Sequence, residues 1–257
     1  MKKPQPKQFK VLKTEHISPN FQRITLGCDD LTSYPKDCEG GYIKLLFNDK
    51  GETDLSTLNE GERPIMRTYT IRQYNQEKSS IEVDFVRHTT SSLQCGFAAR
   101  WASNVQVGES IHIGGPGLIK DMQTNVDWFF MIADMTALPA LSAKIKKLPP
   151  SAMGYAVIKV TDEADIQILD MPKGIQVHWL TNNETLPATV TSLNWLKGDV
   201  SVWVACEFED MKVLRHYFRN EKQVDKDNLY ISSYWKEGTT EDGHKIIKQK
   251  DAIAMES

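Results

Sequence analysis

The sequence predicts an antiparallel β-barrel followed by a parallel-sheet α/β domain, and three observations carry that prediction. Over residues 1–122 the apolar residues alternate in short segments, as in YIKLLF (42–47), IEVDFV (81–86) and SIHI (110–113), with Gly, Asn and Asp between them. That is the pattern of antiparallel strands with one buried face, and it suits a closed barrel. Over residues 123–257 the strands are instead solidly apolar, as in WFFMIAD (128–134) and SVWVACE (201–207), and helical segments alternate with them. Continuous apolar strands interleaved with helices indicate a parallel sheet covered on both faces.

The elements follow in chain order. YIKLLF opens the series of barrel strands. PIMRTYTIRQY (64–74) reads as a further strand, with Arg67, Tyr69 and Ile71 on one side and Thr68, Thr70 and Arg72 on the other, because side chains alternate with period two. IEVDFVRH (81–88) is a strand ending at His88, and GFAARWA (96–102) begins a helix. GGPG (114–117) reads as a turn after the strand SIHI. The junction falls in 120–127, around DMQTNVD. Beyond it, MTALPALSAKIKKL (135–148) is a helix with Leu138, Leu141, Ile145 and Leu148 on one face. YAVIKV (155–160), IQVHWL (175–180) and SVWVACE are strands, and EDMKVLRHYFRN (209–220) is a helix.

Composition removes several function classes. With 31 Lys and Arg against 34 Asp and Glu, the net charge of −3 creates no field that gathers nucleic acid or anionic lipid, so any basic site is local. The apolar runs are too short to span a bilayer and the start, MKKPQPKQFK, lacks the apolar segment of a signal peptide, so no stable membrane association and a cytoplasmic location are expected. Cys28, Cys38, Cys95 and Cys206 form no C-x-x-C pair and have no histidine at ligand spacing, which argues against zinc and against a disulfide framework.

RTYT (67–70) resembles the R-x-Y-[ST] flavin-binding motif of the ferredoxin reductase superfamily. Its extension to Arg72, together with DFVRH (84–88), GFAARWA, GGPG, DMTALPA (134–140) and YWKEG (234–238), falls in the order seen in siderophore-interacting proteins, FAD-containing ferric-siderophore reductases. The resemblance runs over nearly the whole chain. It implies that residues 1–122 form an FAD-binding β-barrel and 123–257 an NAD(P)H-binding type of α/β domain whose C-terminal segment folds toward the flavin.

The resemblance also assigns residues. FAD presents a pyrophosphate and a flat ring, so its site needs fixed cations and an aromatic or apolar wall. Arg67 is then expected on the phosphates, Tyr69 along the ribityl chain and ring, and Thr70 near the ring edge, with Arg72 an added cation. Val86 and His88 would line the cofactor. The amides at Ala98 and Ala99, with Trp101, would face the pyrophosphate. The usual family form has Pro and Ser where this chain has Phe97 and Ala99, so a serine hydroxyl is absent. Thr136 is expected to cap a helix at the end of a parallel strand and to meet a nucleotide phosphate. Ala133, Met135 and Cys206 stand where the family has Gly, Glu and Gly. Trp235 would lie over the ring, and Lys44, Lys236, Lys245 and Lys248 are candidates for a mouth that attracts an anionic ferric siderophore. The implied activity is reduction of the bound ferric ion with electrons from NADH, NADPH or a reduced ferredoxin, with no catalytic side chain and no resident metal. The alternatives are a general flavin or ferredoxin-type reductase and a siderophore-binding flavoprotein without turnover.

Overall fold

The computed structural model describes residues 5–87, 96–181 and 184–256. The chain divides into two compact units, Met1–Lys120 and Asp121–Ser257. In the first, the described residues form strands β1 (Lys7–Ser18), β2 (Phe21–Gly27), β3 (Tyr42–Phe47), β4 (Ile65–Thr70), β5 (Gln73–Asn75), β6 (Ser80–Val86) and β7 (Ser110–Gly117), with helix α1 (Phe97–Asn104) before the last. The sheet is antiparallel throughout, in the order β4-β3-β7-β1-β2-β6-β5.

Its two edge strands are consecutive pieces of one stretch of chain, and this closes the barrel. Ile71 donates its amide to Gly41 O at 2.9 Å, on the β3 side, while Arg72 donates to Glu82 O of β6 at 2.8 Å. Consecutive amides of an extended chain point to opposite edges, so a one-residue step transfers the pairing from one end of the sheet to the other. The expected single strand over 64–74 is therefore two strands with a change of partner between them. Inside the barrel the alternating residues meet as expected: Phe9, Ile24, Leu26, Ile43, Leu45, Phe47, Ile81, Val83, Phe85, Ile111 and Ile113 are all buried in one cluster.

One turn expectation is corrected. GGPG does not end β7 but continues it, with Gly114 opposite Lys44 and Gly117 opposite Tyr42 across a register shift. A Cβ at Gly117 would lie 2.1 Å from the Tyr42 ring, so the glycine serves a close approach of two strands.

The second unit is a parallel sheet. Its strands are β8 (Trp128–Asp134), β9 (Met153–Lys159), β10 (Gly174–Leu180), β11 (Val200–Glu207) and β12 (Leu229–Trp235), in the order β10-β9-β8-β11-β12. The helices are α2 (Leu138–Ile145), α3 (Leu186–Ser192), α4 (Phe208–His216), continued by a π-helical turn at Tyr217–Glu221, and α5 (Glu241–Glu256). Every residue of β8 is buried, as its solid apolar sequence requires. From β8 the chain moves outward to β9 and β10, then returns to the other side at β11. The C-terminal ends of β8 and β11 thus flank the point where strand order reverses, the usual ligand crevice of such sheets. Helix α2 is shorter than the periodic segment, since Leu138 is its first residue and Leu148 lies beyond its end, though still buried.

Arg23 and Asp84 form a two-fold hydrogen-bonded pair across β2 and β6, at 2.6 and 2.8 Å, with the Asp84 side chain 2% exposed. The Lys13 and Glu15 pair, at 2.7 Å, has side chains 61% and 34% exposed. Removing one partner of a buried pair strands the other charge, whereas exposed pairs add little. Asp84→Ala is expected to destabilise the first unit by about 3 kcal/mol or more, and Lys13→Ala by less than about 1 kcal/mol, in urea unfolding followed by circular dichroism.

Candidate functional site

In the first unit the opening strand motif and helix α1 come together. Tyr69 on β4 packs its ring against Phe85 of β6, centroids 4.3 Å apart, and Phe85 meets the edge of Trp101 at 5.7 Å. Trp101 also meets Phe47 at 6.4 Å, and its indole nitrogen is buried without a hydrogen-bond partner among the described residues. The Arg67 guanidinium lies 5.5 Å from the centre of the Phe97 ring, and Arg100 lies 5.2 Å from the same ring. Two cations thus lie against one aromatic ring at the start of α1.

That start has features that suit an anion. Gly96 takes a left-handed conformation, φ 68°, as the residue before the helix, no side chain caps the helix, and its first turn holds no acid. Opening amides without a side-chain cap, and two guanidinium groups against Phe97, are features that a phosphate group would complement. Ala98 and Ala99 are buried and have no polar side-chain atom, so any hydrogen bond they give is from the amide. Arg72 lies with its Nε 3.8 Å from Asp84 Oδ2, and that Nε is buried without a hydrogen bond among the described residues. Thr70 and Val86 are half-buried at the ends of β4 and β6. His88 lies outside the described residues.

In the second unit the crevice is lined by carboxylates. Asp134, 9% exposed, ends β8 and accepts from Thr136 N at 2.9 Å, Thr136 Oγ1 at 2.6 Å and Ala137 N at 3.3 Å through Oδ1. Its Oδ2 accepts from Trp235 Nε1 at 2.7 Å. Burial pushes the Asp134 carboxyl above its ordinary range against these four hydrogen bonds, which act the other way. Glu207 caps α4 in the same manner, accepting from Glu209 N and Asp210 N.

This corrects the expected cap. Thr136 precedes α2 by two residues and does not cap it; its hydroxyl is turned to Asp134, which organises the turn. The spacing Asp-x-Thr after an apolar strand was the available signal, since an Asp side chain readily accepts from the amide two residues on. Cys206 is fully buried in the core behind β11, and burial pushes its thiol pKa upward.

The candidate lysines are dispersed among partners. Lys44 donates to Thr68 Oγ1 and lies 5.3 Å from the Tyr42 ring. Lys236 contacts Glu209 at 2.5 Å, Lys245 contacts Glu241 and Asp242, and Lys248 donates to Ser232 Oγ and Ser233 O. Lys44 belongs to the first unit and the other three to the second. Sequence reasoning missed Asp84, Phe97 as a platform, and Glu207.

Residues 10–119 match the model of the siderophore-interacting FAD-binding domain, and residues 126–238 that of the siderophore-interacting protein. The chain is 30% identical over 254 residues to the ferric vibriobactin reductase of Vibrio cholerae, covering 93% of this chain and 92% of that one. The chain belongs to the siderophore-interacting protein family. It is also 26% identical to the NADPH-dependent ferric-chelate reductase of Escherichia coli, over 89% of this chain and 92% of the relative. The structure of the siderophore-interacting protein SipS from Aeromonas hydrophila superposes with a TM-score of 0.85, at 29% identity, over 98% of this chain and 99% of that one. The fold is thus that of the family, with an antiparallel barrel preceding a parallel α/β unit.

The residues present fit the family's cofactor. The paired guanidinium groups and open amides at α1 suit a pyrophosphate, and the Tyr69, Phe85 and Trp101 cluster supplies an apolar wall. A charge-assisted hydrogen bond contributes about 1.5 to 3 kcal/mol. Arg67→Ala and Arg100→Ala are each expected to weaken FAD binding by about tenfold or more, measured by fluorescence titration of the stripped protein, with Lys13→Ala unchanged.

Proposed function

We propose that this chain is an FAD-dependent ferric-siderophore reductase that releases iron by reducing the chelated ferric ion to ferrous. The observation that carries the reading is the approach of Arg67 and Arg100 to Phe97 at the uncapped start of α1, in a chain related over about nine-tenths of its length to named ferric reductases. Ferric iron is held by hard oxygen donors, and reduction weakens that preference, so one electron loosens a tight chelate. When bound, FAD supplies the means of accepting a hydride's electron pair and passing electrons on singly.

The chain's own residues bind and orient. Arg67, Arg100 and the amides of Ala98 and Ala99 hold the pyrophosphate; Tyr69, Thr70, Val86 and His88 border the ring, with Arg72 as an added cation beside Asp84. In the second unit, the turn at Thr136 and the end of β11 form the nucleotide crevice, and Trp235 closes one side of it. No side chain serves as nucleophile or general base. Lys44, Lys236, Lys245 and Lys248 are the cations proposed to draw the anionic ferric siderophore to the protein.

Among nicotinamide donors NADH is favoured. No arginine run marks a pocket for a 2′-phosphate, and the loop after β9 presents Asp162 and Glu163, both exposed. Negative charge there disfavours a second phosphate on the ribose. A reduced ferredoxin is the alternative donor.

Mixed anaerobically with NADH and a ferric siderophore, the FAD-loaded protein is expected to yield ferrous ion, trapped by a coloured ferrous chelator, at a higher kcat/KM for NADH than for NADPH. Turnover with reduced ferredoxin and with neither nucleotide would move the donor assignment to a protein; no turnover with any donor would leave a binding flavoprotein. Lys44→Ala is expected to raise the KM for ferric siderophore severalfold and to flatten its salt dependence, because screening acts on the charge that the variant lacks.

A further inference from the structure

The C-terminal end of β11 is crossed by a strap, residues 235–237, tied down at three points within the second unit. Trp235 pairs with Glu207 in the β11 and β12 register, yet its indole donates to Asp134 at the end of β8, on the far side of β11. Strands two apart in a sheet are about 10 Å from one another, so the indole lies across the end of β11 to make a bond of 2.7 Å. Lys236 holds Glu209 of α4 at 2.5 Å and lies 5.0 Å from the Phe208 ring. The Glu237 amide donates to Glu207 Oε1 at 3.2 Å. Three carboxylates from the ends of β8 and β11 and the start of α4 therefore grip three consecutive residues.

The strap lies over the place where the strand order reverses, between β8 and β11. We propose that Asp134 is a positioning residue that ties Trp235 over this crevice, and that a nicotinamide nucleotide enters only when the tie is broken. The inference rests on the proposed nucleotide role of the second unit. Asp134 suits the part because one oxygen organises the turn through Thr136 and Ala137 while the other is reserved for the indole. Displacing the strap therefore leaves the turn intact. Trp235 itself is 40% exposed and has room to swing outward.

The test uses the FAD-loaded protein labelled with 5-fluorotryptophan. The chain has six tryptophans, and loss of one fluorine resonance in Trp235→Phe identifies residue 235. Asp134→Asn is expected to shift that resonance, because one amide oxygen cannot serve both the turn and the indole. Saturating NAD in the parent should shift it as well. Trp235→Phe keeps the ring and removes the donor; the KM for NADH in flavin reduction is expected to fall about tenfold, the amount for a hydrogen bond to a charged group. Asp134→Asn should lower it similarly, and the double variant no further. An unmoved Trp235 resonance in Asp134→Asn, or flavin reduction with the parent's KM in Trp235→Phe, overturns the inference. Should Asp134→Asn fail to fold, Trp235→Phe decides it. Absence of reduction by NADH or NADPH in both parent and Trp235→Phe defeats the nucleotide reading itself and the strap's part in it, whereas reduction confined to Trp235→Phe supports the strap.

Discussion

A backbone that changes hydrogen-bond partner between Ile71 and Arg72 governs the first unit. Ile71 is the last residue paired toward β3, and Arg72 the first paired toward β6. Without that step the sheet would have two open edges; with it, the strand carrying Arg67 and Tyr69 is covalently continuous with the one that flanks Arg72. Closure brings Tyr69 onto Phe85, and Phe85 onto Trp101 of α1. Helix α1, which carries Phe97 and Arg100, is thus held by the same aromatic cluster that the closure creates. The start of α1 is packed against the barrel core through Phe97, Ala98 and Trp101, and donors fixed in this way would lose little on binding an anion.

The second unit uses a different device at its own ligand edge. Parallel strands end in a row, and each following helix begins with amides that need acceptors. Here the chain supplies those acceptors itself, Asp134 for the turn after β8 and Glu207 for α4. The remaining oxygens of both carboxylates then accept from the C-terminal strap. Local capping and long-range closure are consequently coupled through the same two side chains. The departures at Ala133 and Cys206 fit this arrangement, since both are fully buried and leave the strand ends filled with side chains.

Much of this was legible in the sequence because burial writes directly into hydrophobic period. The alternation in 42–47 and 81–86 corresponds to burial weighted to one face, broken at Leu46 and at Asp84 with its buried ion pair, and the solid run in 128–134 to burial on both faces. Glycine was less legible: GGPG has the composition of a turn, but its role depends on the Tyr42 ring from a strand about seventy residues earlier. The hydroxyl of Thr136 was expected to cap the helix after β8; no side chain caps that helix, and the hydroxyl instead donates to Asp134, which organises the preceding turn, a choice that turns on geometry rather than on residue type. Helices α3 and α5 were not anticipated; α3 is short, and α5 is polar, joined to the rest through the Arg215 and Asp251 pair and the bond between Ser233 and buried His244. The lysines illustrate the limit of charge counting, because the partners of Lys44, Lys236 and Lys248 lie far away in sequence, as Glu209 does from Lys236, while Lys245 pairs within its own helix.

The central claim is that electrons held by this protein pass to iron in a siderophore. The most direct measurement reduces the FAD-loaded protein chemically under anaerobic conditions, removes excess reductant, and adds a ferric siderophore in the presence of a ferrous chelator. The account predicts that the flavin absorbance returns and that about two ferrous ions appear per FAD, the number set by its two electrons. A flavin that stays reduced beside the ferric siderophore, with no ferrous ion trapped, would contradict it.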